Sequence, residues 1–413
     1  MKLCTFTRVG LAIPMYRFAK DKKAMSAWIR RELESAGCMA VKMGQWVSSR
    51  TDIFPQELAD ELASLRTDVA PLPYEDVSFL LPPSVLELLA TIDPTPVSSG
   101  SIAQVHRGTT KDGRDVAIKI QRPHIDRDLR QDLRLATMVL GPYRWVNPKM
   151  HEDTVGSLEE LVATVSMELD FVREGKSMGR FRKFFKKQGL PVKVPKVIAA
   201  TPTVLVMEYE ASSGSPRDIA LLMETFVRTL LDLGYIHTDL HEGNLGTTDD
   251  GRMLLYDFGS VLRCDASLIL CIKHLLVAYL NRSPAIMIDY LLEFGVLQTP
   301  DGHRVLEIPA DERSMLEQFL EHTLAYVETN DTVQFATMVK SIELPQASTV
   351  VFRSDLAMVF RSFSLMEGLC KKLNPDFKII EALEPLVSYF AADPAMIRYK
   401  IEDDLRTILR RLS

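Results

Sequence analysis

The amino-acid sequence predicts an α+β chain: a helical stretch over residues 1–94, a strand-rich segment over 95–209 and a helical remainder over 210–413. Apolar residues recur at three- and four-residue spacing as far as Ile92, alternate through RDVAIKI, run together in TVLVMEY, and return to helical spacing after residue 217. With 413 residues the chain can bury a full core in two or three domain-sized units. A hydrophobic share of 46% with 25% charged residues is ordinary for a globular protein. The net charge of −6 gives no support for nucleic acid as a partner, since that needs a concentrated basic surface.

No transmembrane segment is expected. The most apolar run, Leu268 to Leu280, is interrupted by Lys273 and His274 and falls short of the roughly 20 residues a spanning helix needs. Peripheral attachment to a membrane surface stays open. Cys4, Cys38, Cys264, Cys271 and Cys370 are scattered and never spaced Cys-x-x-Cys, which reads as thiols of a reducing compartment, with neither disulfide nor zinc. Near the N-terminus Lys2, Arg8, Arg17, Lys20, Lys22 and Lys23 stand against one acid, Asp21: an organelle presequence, a membrane-surface helix, or a solvated helix end. The expected location is the cytoplasm or an organelle matrix, mitochondrion or plastid.

Residues 24–50 carry few breakers and are expected to be helical, with Lys42, Gln45 and Ser49 on one face. Gly44 inside that helix costs about 1 kcal/mol relative to alanine, so something should approach the backbone there; a surface helix with a packing glycine reads the same way. After Pro55, Leu58, Leu62, Leu65 and Val69 form one stripe of an amphipathic helix. A further apolar helix is expected from Ser84 to Ile92, and Asp93-Pro-Thr-Pro96 marks a boundary near residue 95.

Beyond it, the small residues Ser98, Ser99, Gly100 and Ser101 enter a strand, and Lys111-Asp112-Gly113 turns into RDVAIKI. There Val116, Ile118 and Ile120 face one side, Ala117 and Lys119 the other. A lysine inside an apolar strand must find an anion, either a carboxylate in a structural bridge or, in addition, ATP phosphates; the Val-Ala-Ile-Lys string favours the second. The next helix, SLEELVATVSMELDFVREG, carries Leu158, Leu161, Val165, Leu169 and Val172 on its apolar face and offers Glu168, Asp170 and Glu174. Glu168 sits about 120° around it from Glu174, so one straight helix cannot aim both at Lys119 and two partners are implied. TVLVMEY, holding Glu208, then runs into the polar segment Ala211 to Pro216: a plain strand and loop, or a connector whose backbone binds adenine. Helices are expected at 217–235, 265–281, 284–296, 311–328, 331–342 and 354–412, with His274, His303 and His322 structural.

The stretch HTDLHEGNLGTTDDGRMLLYDFG, residues 237–259, orders the chemistry. Asp239 can accept or orient the proton of an incoming hydroxyl, while Asn244 and Asp257 supply oxygen to Mg²⁺, a hard cation that needs few protein ligands when ATP phosphates complete its shell. The Asp239-to-Asn244 spacing followed by Asp257-Phe-Gly agrees with the protein-kinase signature set, and the order strand, connector, helix, catalytic turn is that of a two-lobed kinase.

With Lys42-Met-Gly44-Gln45, Ser48-Ser-Arg50-Thr-Asp52, Ser101-Ile-Ala-Gln104-Val-His106, Glu168-x-Asp170, His237-x-Asp239-x-His241-x-x-Asn244 and Asp257-Phe-Gly259, residues 30 to 265 resemble the UbiB (aarF-domain, ADCK-type) atypical kinase-like family. The resemblance implies a protein-kinase-like fold whose N-terminal helical extension covers the active site. It implies that Lys42 pairs with the Glu168-x-Asp170 motif in a regulatory lid also carrying Gly44 and Gln45, and that Lys119 with Glu174 holds ATP. It further implies a nucleotide site including Ser98–Ser101, Ala117 and Glu208, with Asn244 and Asp257 on Mg²⁺ and Asp239 in the catalytic loop. The implied function is an ATPase or kinase of small molecules supporting isoprenoid quinone (ubiquinone) biosynthesis or lipid homeostasis, with a lipid or quinone precursor and a membrane surface as partners.

The chain departs from the family and from protein kinases in ways that bear on chemistry. The family's phosphate loop is alanine-rich, whereas Gly100 lets backbone N–H groups approach phosphate. His241 stands where protein kinases place a lysine, which implies weaker charge stabilisation and slow turnover. Thr238 replaces the arginine of His-Arg-Asp, so control by an activation-loop phosphate is not expected. Two other functions fit parts of the pattern: a phosphotransferase of the aminoglycoside or choline kinase type, which has no reason to carry Lys42 to Gln45, and an ATP-binding scaffold without catalysis.

Overall fold

In the computed structural model, the strand-forming segments of the middle third assemble into one antiparallel sheet. The structure describes residues 16, 19, 21–36, 38–48, 55–62, 65, 70–140, 165–216, 218–280, 282–299, 302–329, 350–378, 382–383 and 386. They fall into two units, one of residues 1–182, 195–211 and 257–260, the other of 183–194, 212–256 and 261–413.

The first unit starts with α1 (Lys22–Ala36), α2 (Cys38–Ser48) and α3 (Gln56–Leu62), so the helix expected over 24–50 is two helices. Their apolar faces bury Ile29, Leu33, Ala40, Val41, Leu58 and Leu62 in one cluster with Leu65, Tyr16, Ile125 and Val165. Two short helices follow, α4 (Glu75–Ser78) and α5 (Pro83–Leu86). The helix expected from Ser84 to Ile92 is corrected here: it ends at Leu86, because the Leu88 carbonyl accepts from Lys111 N–H and the chain enters β1 (Leu89–Ser99). Asp93-Pro-Thr-Pro96 lies inside that strand. β1 tolerates Pro94 and Pro96 because it is an edge, with register shifts around them.

With β2 (Ala103–Thr110), β3 (Asp115–Gln121), β4 (Val197–Ala200) and β5 (Val204–Glu208), the sheet runs in the order β1-β2-β3-β5-β4, every pair antiparallel. Val116, Ile118, Ile120, Val204 and Val206 pack against Val77, Leu81 and Val85, each such burial contributing about 1.5–3 kcal/mol. Two helices complete the unit's elements: α6 (Ile125–Leu140), and α7 (Phe171–Gln188), whose last turns belong to the second unit. Gly175 allows α7 close to the sheet, since a Cβ there would stand 3.3 Å from Ala200 Cβ and 3.4 Å from Leu205 Cδ1. The helix expected through Glu168 and Glu174 is also corrected: it is helical at 165–168, breaks at Leu169 and Asp170, and restarts as α7. Asp170 causes the restart, its Oδ1 accepting from Arg173 N–H at 3.0 Å as an N-cap. Leu158 and Leu161 lie outside the described residues.

The second unit holds α8 (Ile219–Arg228), capped by Asp218 Oδ1 on Leu221 N–H at 2.9 Å, which continues as a π-turn to Leu233 and ends at Gly234 with φ 78°. Next come β6 (Tyr235–His237), a 3₁₀ turn (Glu242–Asn244), β7 (Leu245–Thr247), β8 (Met253–Leu255) and β9 (Val261–Arg263), with β6 paired to β9 and β7 to β8. Helices α9 (Ala266–Leu280), α10 (Pro284–Glu293), α11 (Ala310–Thr329) and α12 (Ser354–Leu373) follow, and two short strands, Leu297–Gln298 and Val351–Phe352, pair with each other. Arg353 fastens α12 to the start of α9 through Asp265 at 3.0 Å and Asp355 at 2.7 Å. His274 stacks edge-on to Tyr290, and Cys264, Cys271 and Cys370 are buried free thiols. The helix expected at 331–342 and nearly all of 379–412 lie outside the described residues. No described helix is long and apolar enough to cross a membrane.

Candidate active site

In the first unit, alternation along β3 turns Lys119 away from the core that takes Ile118 and Ile120. Its Nζ donates to both carboxylate oxygens of Glu174, at 2.8 and 3.0 Å, and to Asp257 Oδ2 at 3.2 Å. The ammonium also lies 5.1 Å from the Phe171 ring centroid. Burial opposes the charge on Lys119, but the carboxylates of Asp257 and Glu174 outweigh it and hold the ammonium above its ordinary value. Glu174 is pushed up to about 7, by burial first and against the pull of Lys119, with Asp257 adding to the rise. Glu174 also accepts from Phe258 N–H at 3.4 Å, and Phe258 packs edge-on to Phe181 of α7 at 5.0 Å. Asp257 remains the exposed member, 43% accessible, its Oδ1 accepting from Gly259 N–H at 2.9 Å.

Lys42 of α2 pairs instead with Glu168, at 2.9 Å. Glu168 and Glu174, on either side of the break at Leu169 and Asp170, thus serve different lysines. Asp170 caps α7, and Gly44 is a packing glycine: a Cβ there would run into Leu65 Cδ1 and lie 3.0 Å from Leu33 Cδ1. Gln45 lies on α2, its side chain outside the described set.

Gly100 N–H of the Ser98–Ser101 segment is engaged inside its own loop, by Ala103 O at 2.8 Å. Arg122, which no sequence motif marks, binds this loop from the end of β3: Nε to Gly100 O and Nη2 to Ser99 Oγ, both at 2.9 Å. Gln104 and His106, quoted only as signature residues, are fully buried and hydrogen-bonded to each other at 2.9 Å, while Gln104 bonds both backbone groups of Leu72. No spacing rule flags such internal side-chain-to-backbone bonds. Ala117 is buried on the Lys119 side of β3. The N–H groups of Glu208 and Tyr209, at the end of the strand that leads into the expected adenine connector, are taken by Lys196 O at 2.9 Å and Asp115 O at 3.1 Å.

In the second unit, residues 237–244 form a backbone-built turn. Asp239 N–H donates to His237 Nδ1 at 3.3 Å, and Asn244 Nδ2 donates to Asp239 O at 3.0 Å. That bond orients the Asn244 amide and leaves Oδ1 as the atom able to meet a cation. His241 caps the 3₁₀ turn, Nδ1 accepting from Gly243 N–H at 3.1 Å, so in the neutral ring Nε2 carries the proton. Tyr256 N–H donates to Asn244 O at 3.0 Å, and Asp257 is the next residue of the chain. A cavity of about 700 Å³ in this unit, lined by Ser213, Ser215, Asp218, Thr247 and Met253 among others, includes neither Asp239 nor Asn244.

A five-stranded antiparallel sheet with a buried Lys–Glu pair, followed by a helical segment holding His-x-Asp and a downstream Asp-Phe-Gly, defines a protein-kinase-like α+β protein. Residues 65–291 match the ABC1 atypical kinase-like domain. The chain belongs to that family. Among its relatives, an uncharacterized protein of Synechocystis is 27% identical over 391 residues, covering 89% of this chain and 65% of that protein. The chloroplastic protein ACTIVITY OF BC1 COMPLEX KINASE 7 of Arabidopsis thaliana is 26% identical over 383 residues, 88% of this chain and 54% of that protein. A probable protein kinase UbiB of Xylella fastidiosa is 25% identical over 412 residues, with 93% and 72% covered. The chain thus spans less than two thirds of the length of the first two.

Proposed function

We propose that this chain is a UbiB-type atypical kinase or ATPase that binds Mg-ATP and supports isoprenoid quinone biosynthesis or lipid homeostasis. The observation that supports it best is the Lys119–Glu174–Asp257 cluster. With both acids ionised it carries a net charge of −1, and its exposed member is a carboxylate, so phosphate oxygens have a fixed ammonium and a divalent cation has an oxygen ligand. Asn244 Oδ1 and Asp257 are the magnesium ligands in this reading. Bound magnesium supplies neutralisation of phosphate charge. Lys119 orients the phosphates, Asp239 orients the attacking hydroxyl or water and takes its proton, and the His241 Nε2–H donates one hydrogen bond in place of a full charge. The domain limits at 94/95 and 209/210, and residence in a plastid, a mitochondrion or a bacterium, belong to the same proposal.

The test is thermal stabilisation by Mg-ATP together with phosphate release, for the native chain and Asp257→Asn. Native stabilisation that the substitution abolishes supports the reading; an Asp257→Asn chain stabilised like the native overturns the metal assignment. Binding without release points to a scaffold. Acceptor screens with quinone precursors, lipid vesicles, aminoglycosides and choline separate the quinone-linked reading from a general small-molecule phosphotransferase.

A further inference from the structure

Arg122 is a buried cation, 6% exposed, and its guanidinium forms no ion pair among the described residues. It spends its donors on neutral oxygens: Gly100 O, Ser99 Oγ and, through Nη2 again, Ala70 O at 2.9 Å. Its backbone N–H donates to Ile102 O at 2.8 Å. Main chain and side chain of one residue therefore grip the β1–β2 connection at Ser99, Gly100 and Ile102, while the same guanidinium holds the carbonyl that leads into the segment tied down by Gln104. Keeping a guanidinium away from water without a carboxylate is costly, and a neutral amide could brace a loop more cheaply. What arginine adds is a planar fork that reaches acceptors on separate segments at once, and a positive charge directly under a loop.

We propose that Arg122 is a positioning residue: it fixes the Ser98–Ser101 loop in the form that receives nucleotide phosphates, and links that loop to the Ala70 segment, without itself touching nucleotide. This rests on the reading above that the chain binds Mg-ATP. A general brace and a phosphate-loop brace differ in one respect. The first, when lost, weakens every ligand with the fold; the second weakens only ligands that carry phosphates.

The experiment compares calorimetric affinities of ATP and adenosine, with Mg²⁺, for the full native chain, Arg122→Gln, Arg122→Lys and Ser99→Ala, each well below its own melting temperature. Arg122→Gln is expected to lose on the order of tenfold in ATP affinity, the scale of one lost charged hydrogen bond, with adenosine changed less than about twofold. Arg122→Lys, which keeps the charge but not the fork, falls between, and Ser99→Ala loses least. Equal losses for ATP and adenosine, or native ATP affinity in Arg122→Lys and Ser99→Ala, overturn the proposal. If the native chain binds no ATP at all, the reading it rests on fails first and the proposal falls with it.

Discussion

Two lysine–glutamate pairs in the first unit share their chemistry and nearly their length, yet their settings differ. Lys119 and Glu174 are 8% and 2% accessible, doubly bonded, and joined by a second carboxylate, Asp257. Lys42 and Glu168 are 17% and 8% accessible and join an extension helix to the last turn before a break. The first pair ties β3 to α7, with Glu174 held by Lys119 and by the Phe258 amide. The second joins two helical segments, with its lysine about twice as accessible as Lys119.

The largest expected effect breaks the buried pair. Lys119→Met leaves Glu174 without its cation and should cost about 3–5 kcal/mol in urea unfolding at pH 8. The deficit should shrink towards pH 5. Glu174 already has a folded value near 7 against an ordinary 4.5, so its contribution to stability declines as pH rises through that window. Without Lys119 it must stay protonated in the fold, at about 1.4 kcal/mol for each pH unit above its unfolded value. A deficit independent of pH would show that Glu174 finds another partner.

Breaking the second pair should do less to stability and more to turnover. Lys42→Ala should cost about 1–3 kcal/mol, the scale of one lost charged hydrogen bond, and raise or redirect ATP turnover; a double-mutant cycle with Glu168→Gln checks that the effect runs through this contact. Gly44→Ala, on the same helix, presses a methyl group against the Cδ1 ends of Leu65 and Leu33, so the roughly 1 kcal/mol that alanine gains in a helix should be cancelled and a net loss of up to about 2 kcal/mol seen in urea unfolding. Gly100→Ala sharpens the contrast: the nearest atom to the added Cβ is Ala103 O at 3.6 Å, so a melting scan should show almost no change. The smallest effect is on thiols. Burial pushes Cys264, Cys271 and Cys370 up to about 12, and they should resist alkylation at pH 8 until the chain unfolds.

Elements with a repeating physical pattern were legible in the sequence. Alternation in RDVAIKI placed Val116, Ile118 and Ile120 in the core and Lys119 opposite, and the 120° offset of Glu168 from Glu174 already called for two partners. The helix break between the two glutamates was not legible, because a mid-pattern aspartate reads as surface charge until its Oδ1 is seen on Arg173 N–H. Strand β1 was masked by prolines that only an edge position admits. Arg122, Gln104 and His106 act through bonds to distant backbone, which leave no periodic trace. A further regularity stands in the sequence in plain view: Thr110-x-Asp-Gly-Arg114 and Thr248-x-Asp-Gly-Arg252 make the same turn in the two units. In each, arginine Nε binds the aspartate, at 2.9 and 2.8 Å, and glycine takes φ near 80°. The arginine, then the threonine, lowers each aspartate to about 2.

In the proposed function Lys119 and Asp257 serve a magnesium-bound triphosphate. This is tested most directly by calorimetric titration of ATP, with Mg²⁺ and with chelator, into the native chain and Asp257→Asn. Native binding is expected to tighten strongly with Mg²⁺, and the Asp257→Asn chain to bind equally with Mg²⁺ and with chelator; magnesium dependence undiminished by the substitution would rule Asp257 out as a ligand.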